Sequence, residues 1–189
     1  MTAPLPEALA EAAGTLPLEP AAARPDLLAD PVRAALAALP DDDAARCGVA
    51  GIDPELADTA AFCEAYRSPL GLSANCVVVS GSRSGERRFA ACVVLATTRA
   101  DVNGVVRRRL DVRKASFAPT EEAVELTGMA FGGITPLGLP AAWPVLVDPA
   151  VLAAPAVVIG SGLRAGKLVV PGALLGRLPG AEAVEGLAR

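Results

Sequence analysis

Thr127-Gly128-Met129-Ala130-Phe131-Gly132-Gly133-Ile134-Thr135-Pro136-Leu137-Gly138 is the stretch on which the fold of this 189-residue chain turns. Glycine, proline and threonine at this density sustain neither a helix nor a central strand. Gly tolerates positive φ and lets other groups approach the backbone, while Pro136 fixes its own φ and holds Thr135 extended. Upstream, Thr120 reads as the cap of a short helix through Leu126, with Glu121 and Glu122 in its positive first turn and Gly128 as its stop. Downstream, Pro144-Val145-Leu146-Val147-Asp148 reads as a strand. A glycine loop held between a helix and a strand exposes backbone N–H groups with no Cβ in the way, the hardware of an oxyanion or carbonyl site. A plain turn also satisfies this composition.

The run TGMAFGGITPLG, followed by PVLVD and then by VVIGSG, resembles the YbaK family of aminoacyl-tRNA deacylases. The same domain serves as the editing insertion of bacterial prolyl-tRNA synthetases. The likeness covers about residues 45–189, and its most specific part is the TGxxxGGI(S/T)P core. It implies that amides of Gly132, Gly133, Ile134 and Thr135, in the element closed by Pro136, hold an ester carbonyl and its tetrahedral intermediate. It also implies that Gly160-Ser161-Gly162 lines the aminoacyl pocket, with Ser161 bonding the substrate amine or a water. Asp148 is expected to accept amides of the central loop. Relatives carry a lysine followed by threonine on the strand after the helix at the pocket mouth; this chain has Asn75-Cys76, so Asn75 is the candidate there, with a donor but no charge. In the family the water is activated with help from the terminal ribose hydroxyl of the tRNA, so a histidine base is not required.

The chain has no histidine, which excludes Ser-His and Cys-His pairs and histidine metal sites. Cys47, Cys63, Cys76 and Cys92 are scattered without a CxxC and read as small buried hydrophobes. No cofactor and no metal are expected. Apolar residues make up 52% of the chain and aromatics only 3%, so the core must be built of Val, Leu and Ala. No apolar run is long enough for a membrane span, and no secretory signal is visible, which places the protein in the cytoplasm by expectation.

Net charge is −4, yet Ser82–Lys114 alone carries +6. Arg107, Arg108, Arg109, Arg113 and Lys114 in this stretch are the candidate contacts to a tRNA backbone, with a solvated helix face and hairpin tip as the plainer reading. The expected partners are aminoacyl-tRNA, an aminoacyl-tRNA synthetase and a second copy of the chain.

Residues 1–30, rich in Ala and Pro, read as a loosely packed or mobile appendage, and 31–189 as the domain. Helices are expected over Pro6–Ala13, Val32–Leu39, Asp53–Tyr66 (Pro54 first), Val102–Leu110 (capped by Asp101) and Gly172–Leu178. Strands are expected near 46–52, 75–79, 89–97, 113–118, 156–159 and 168–170, with Gly81–Gly85 as a hairpin loop. The result is a single compact α/β (α+β) domain around a mixed, curved sheet flanked by helices, without dinucleotide-binding spacing. The leading reading is a deacylase that clears a small mischarged amino acid from tRNA in trans. The alternative is a tRNA- or amino-acid-binding module of the same fold, attenuated by Asn75.

Overall fold

The computed structural model describes residues 4–189. In chain order the strands are β1 (Glu19–Pro20), β2 (Gly48–Gly51), β3 (Ala74–Arg83), β4 (Glu86–Leu95), β5 (Ala115–Phe117), β6 (Val145–Val147), β7 (Val157–Gly160), β8 (Gly166–Val170) and β9 (Ala181–Ala183). The helices are α1 (Glu7–Ala13), α2 (Asp30–Ala37), α3 (Asp41–Ala44), α4 (Thr59–Tyr66), α5 (Arg107–Arg109), α6 (Thr120–Thr127), α7 (Pro149–Ala153) and α8 (Gly172–Leu175). The mixed α/β class expected from the sequence holds, but the sheet is two sheets. One is antiparallel, in the order β1-β2-β8-β7; the other is mixed, in the order β5-β3-β4-β6-β9, with β4, β6 and β9 parallel.

The two sheets share one core. Val93, Val145 and Val147 from the mixed sheet meet Val157, Ile159 and Leu168 from the antiparallel one, with Val32 and Leu36 of α2 added. On the outer face of the mixed sheet, Val79, Cys92 and Val94 pack under Val102, Val106 and Leu110. On the outer face of the other, Val158 and Val169 pack under Leu9 and Ala12 of α1 and Phe62 of α4. Short branched side chains fill each layer, as the scarcity of aromatics requires.

Several local expectations shift. The Gly81–Gly85 loop contracts to Ser84-Gly85, whose φ values of 51° and 83° suit a two-residue hairpin turn. Gly81 stays within β3, paired with Arg88 and Ala115, and must be glycine because a Cβ there would stand 2.7 Å from the Lys114 carbonyl oxygen. The single helix expected from Asp53 breaks in two. A 3-10 turn at Pro54–Leu56 ends, and Asp58 caps α4 by accepting from the Ala60 amide at 3.0 Å. Asp101 caps as expected, but over a π turn at Val102–Val106 rather than a regular helix. Pro119, not Thr120, is the cap residue of α6.

The N-terminal segment is not loose. Leu9, Ala12 and Ala13 have no exposed surface, and β1 pairs with β2. Met1–Ala3 of the expected appendage lie outside the described residues.

Candidate functional site

The central loop is pinned from behind by backbone alone. Ala130 donates to the Gly162 carbonyl, and Gly162 donates to the Gly133 carbonyl, each at 2.8 Å. This approach demands missing side chains. A Cβ on Gly133 would lie 2.7 Å from the Leu163 backbone, and one on Gly160 would lie 2.2 Å from the Gly133 oxygen. Gly128 ends α6 at a φ of 65°, as its position after the helix predicts.

In front of the loop, a cavity of about 340 Å³ opens in the seam between the sheets. An isolated parallel bridge between Ser73 and Val158, both of which line the cavity, joins the two sides of the seam. Gly132 and Ile134 line it from the central loop, and Ala57, Asp58, Thr59 and Phe62 line it from α4 and the turn before it. The end of β3, from Ala74 to Val78, supplies the floor together with Val158, Ile159 and Gly160 of β7. Phe117 and Phe131 stand on the lips, 63% and 61% exposed.

Within the loop, the Gly133 amide is occupied by the Ala130 carbonyl at 2.9 Å. The amides of Gly132, Ile134 and Thr135 donate to no protein group among the described residues. Gly132 and Ile134 face the cavity; Thr135 and Pro136 are buried and do not line it. The Thr135 hydroxyl has no hydrogen-bond partner among the described residues, a buried polar group left unsatisfied.

The expected second wall divides. Gly160 lines the cavity, whereas Ser161 and Gly162 are buried behind the loop. Ser161 has no exposed surface, its carbonyl accepts from Ala29, and its hydroxyl reaches only the Leu163 carbonyl at 3.5 Å. The backbone-to-backbone packing that pins the loop keeps Ser161 out of the cavity lining. Asp148 is also placed elsewhere. Its carboxylate accepts from Ala150, as the cap of α7, and from Ala188 at 3.1 Å, so it does not receive the central loop's amides. A strand-ending Asp followed by proline is a helix-cap signal, and that local chemistry prevails.

Asn75 lies on the cavity floor, and its Oδ1 accepts from the Thr59 hydroxyl at 2.8 Å. Beside it the structure shows a group the sequence reading passed over. Lys167, on β8 opposite Gly160, is only 7% exposed and lines the cavity. Its Nζ donates to the Ala57 carbonyl at 3.0 Å and sits 5.1 Å from the Phe62 ring centroid, with no carboxylate within ion-pair distance among the described residues. Burial pulls its pKa below the ordinary lysine value. The signal in the sequence was a single lysine inside the apolar run Gly166–Val170. Arg164 was missed too. It ties the Pro54 carbonyl at 3.0 Å to the Phe131 carbonyl at 3.3 Å, linking the turn before α4 to the central loop.

Cys76 also lines the cavity, and burial raises its pKa above the ordinary thiol value, which favours the neutral thiol. Among the described residues no three His, Cys, Asp or Glu side chains converge as metal ligands, and no helix is long and apolar enough to cross a membrane.

Of the candidate RNA contacts, Arg108, Arg109, Arg113 and Lys114 are exposed and Arg107 half-buried. Arg109 pairs with Glu182, and Arg107 donates to the Asn103 carbonyl at 2.8 Å. Nearby, Arg83 pairs with Asp111 and Arg87 with Glu122. Arg108, Arg113 and Lys114 make no ion pair among the described residues.

The profile of the aminoacyl-tRNA editing domain matches residues 53–178. Among solved structures, a protein described as a candidate trans-editing enzyme for prolyl-tRNA synthetase superposes with a TM-score of 0.67 at 23% identity, over 83% of this chain and 96% of that one. A scaffold from computational epitope grafting gives a TM-score of 0.68 at 20% identity, over 82% and 94%. A hypothetical protein, APE2540, gives 0.64 at 20% identity, over 75% and 90%. At such identities the likeness is one of fold, and no curated protein matches the chain. Carried by the profile over two thirds of its residues and by the loop that shapes the cavity, the chain belongs to the aminoacyl-tRNA editing domain family.

Proposed function

We propose that the protein is an aminoacyl-tRNA deacylase, acting in trans on tRNA that carries a small mischarged amino acid. The observation that carries this reading is the pair of amides, Gly132 and Ile134, that lack an acceptor beside a cavity of about 340 Å³. That volume lies at the small end of ligand pockets and suits a compact acyl group.

Water adds to the ester carbon, and the carbonyl oxygen takes up the charge. The fixed amides of Gly132 and Ile134 meet that charge without reorganising, an arrangement in which one donor is typically worth about 10²–10³ in rate. The C–O bond to the ribose then breaks. The ribose oxygen leaves with a proton from the water, giving the free amino acid and uncharged tRNA. The Lys167 ammonium adds charge stabilisation that the neutral Asn75 lacks, while Asn75 and Thr59 hold the floor. Asp58, exposed at the rim, is the acceptor for the substrate's α-ammonium group. Arg108, Arg113 and Lys114 supply contacts to the RNA backbone.

The test is deacylation of tRNAs charged with Cys, Ala, Pro and Ser. Hydrolysis above the buffer rate for at least one of them is expected; salt-sensitive tRNA binding with no hydrolysis of any would leave the binding-module reading in its place.

A further inference from the structure

A second hollow, of about 630 Å³, adjoins the cavity. The two share Asn75, Val77 and Phe117, so the end of β3 and the Phe117 ring are the partition between them. Beyond the partition the hollow is lined by Thr98, Arg99, Asn103 and Arg189. We propose that this hollow binds the unpaired 3′-terminal nucleotides of the RNA whose ester enters the cavity, with Phe117 stacking a base and Arg99 and Arg189 meeting phosphates. This proposal rests on the ester-hydrolase reading.

Three observations favour that occupant. The first is charge. Arg99 is exposed and makes no ion pair among the described residues, and the Arg189 side chain, 71% exposed, has Asp101 as its carboxylate partner at 3.3 Å. Asp101 is itself engaged in capping, accepting from the Gly104 and Val105 amides. Arg113 and Lys114, both exposed, run directly into β5 and so into Phe117. Among the described residues no Asp or Glu side chain lines the hollow, whose side chains present guanidinium, amide and hydroxyl groups suited to phosphate oxygens and sugar.

The second is the aromatic ring. The chain holds four Phe, one Tyr and one Trp, and two of these six stand more than half exposed, one on each lip of the cavity. Exposed aromatic rings beside a cationic surface are the stacking platforms of single-strand binders. A duplex would keep its bases stacked away from Phe117, so the ligand is single-stranded.

The third is continuity. A substrate whose acyl group lies in the cavity must leave it across a lip, and Phe117 is the lip that leads to arginines.

The experiment is a fluorescence-anisotropy titration of the full chain with a labelled CCA ribotrinucleotide bearing a free 3′ hydroxyl, across a range of salt. Wild type is expected to bind with affinity that falls as salt rises. Arg99→Gln is expected to weaken binding about tenfold and to flatten the salt slope by about 0.7, the share of one single-strand phosphate. Phe117→Leu is expected to weaken binding about tenfold with the slope unchanged. Both side chains are exposed, and matched thermal melts would show that neither variant is misfolded. Absence of binding by wild type, or wild-type binding by both variants, overturns the proposal. Binding that follows this pattern in a protein that hydrolyses no charged tRNA supports the hollow and overturns the hydrolytic reading alone.

Discussion

Lys167 holds an amine where only 7% of the residue meets solvent, with a carbonyl and an aromatic ring for company and no counter-ion among the described residues. An unpaired buried cation destabilises a fold, so the site is maintained at a cost in stability. Lys167→Met, close in volume and uncharged, is expected to leave the melting temperature unchanged or raised, while kcat/KM for deacylation falls about 10- to 100-fold. A large loss of Tm with full activity would argue for a purely structural lysine. The pH dependence follows from the lowered pKa, which burial causes, against the small pull of Cys63 and Asp58 and with the push of Arg164. Between the lowered folded value and the ordinary 10.5, the unfolded chain binds a proton that the folded chain does not, so stability rises with pH through that window. The catalytic contribution of the ammonium fades in the same window. Tm should therefore climb while the rate above buffer falls as pH rises, and the Met variant should show neither slope. Paired melts and rate profiles of the two proteins check this.

At the scale of elements, the decisive contact is the backbone of residues 160–163 against the central loop. Gly160→Ala would place a Cβ 2.2 Å from the Gly133 oxygen and 2.9 Å from that of Ile134, so the loop must move. The expected outcome is a loss of about 10² or more in kcat/KM with a drop in Tm, measured by single-turnover deacylation and thermal unfolding. This contact also marks where legibility in the sequence ended. The glycine loop, the helix stop at Gly128, most strands and the mixed α/β class were readable, because turn residues and apolar runs act locally. The division of labour among the glycines was not. Gly133, Gly160 and Gly162 look like exposed donors in sequence, yet their lack of side chains serves close packing, with Gly133's own amide spent on Ala130. Ser161 was misplaced for the same reason, since which side of a turn faces a cavity is settled by packing against other segments, whereas Asp148 follows a local signal, the Asp-Pro cap of α7. Lys167 was overlooked because the groups that bury it, Ala50 across the sheet and the Ala57 carbonyl and Phe62 ring beyond it, come from segments more than a hundred residues away.

The whole molecule couples its N-terminal segment to the cavity wall. Leu9 and Ala12 of α1 pack in the same cluster as Phe62 and Ala57, which line the cavity. Leu9→Ala is expected to cost roughly 2–5 kcal/mol in a denaturant titration. A cost near zero would restore the picture of a loose appendage over residues 1–30. Charge is also distributed at this scale, with Arg108, Arg113 and Lys114 left without ion pairs among the described residues on an acidic protein of net charge −4. Replacing Arg113 and Lys114 by Gln together is expected to flatten the salt slope of tRNA binding by about 1.5 to 2, read from affinities at several salt concentrations. The central claim, that loop amides receive the oxyanion, is most directly tested by backbone amide shifts of the labelled protein on adding a phosphonate analogue of the tetrahedral intermediate on adenosine. The account predicts that the Gly132 and Ile134 amide protons move downfield on binding while that of Gly133, already bonded to Ala130, stays in place. Binding of the analogue with the Gly132 and Ile134 resonances unmoved would contradict it.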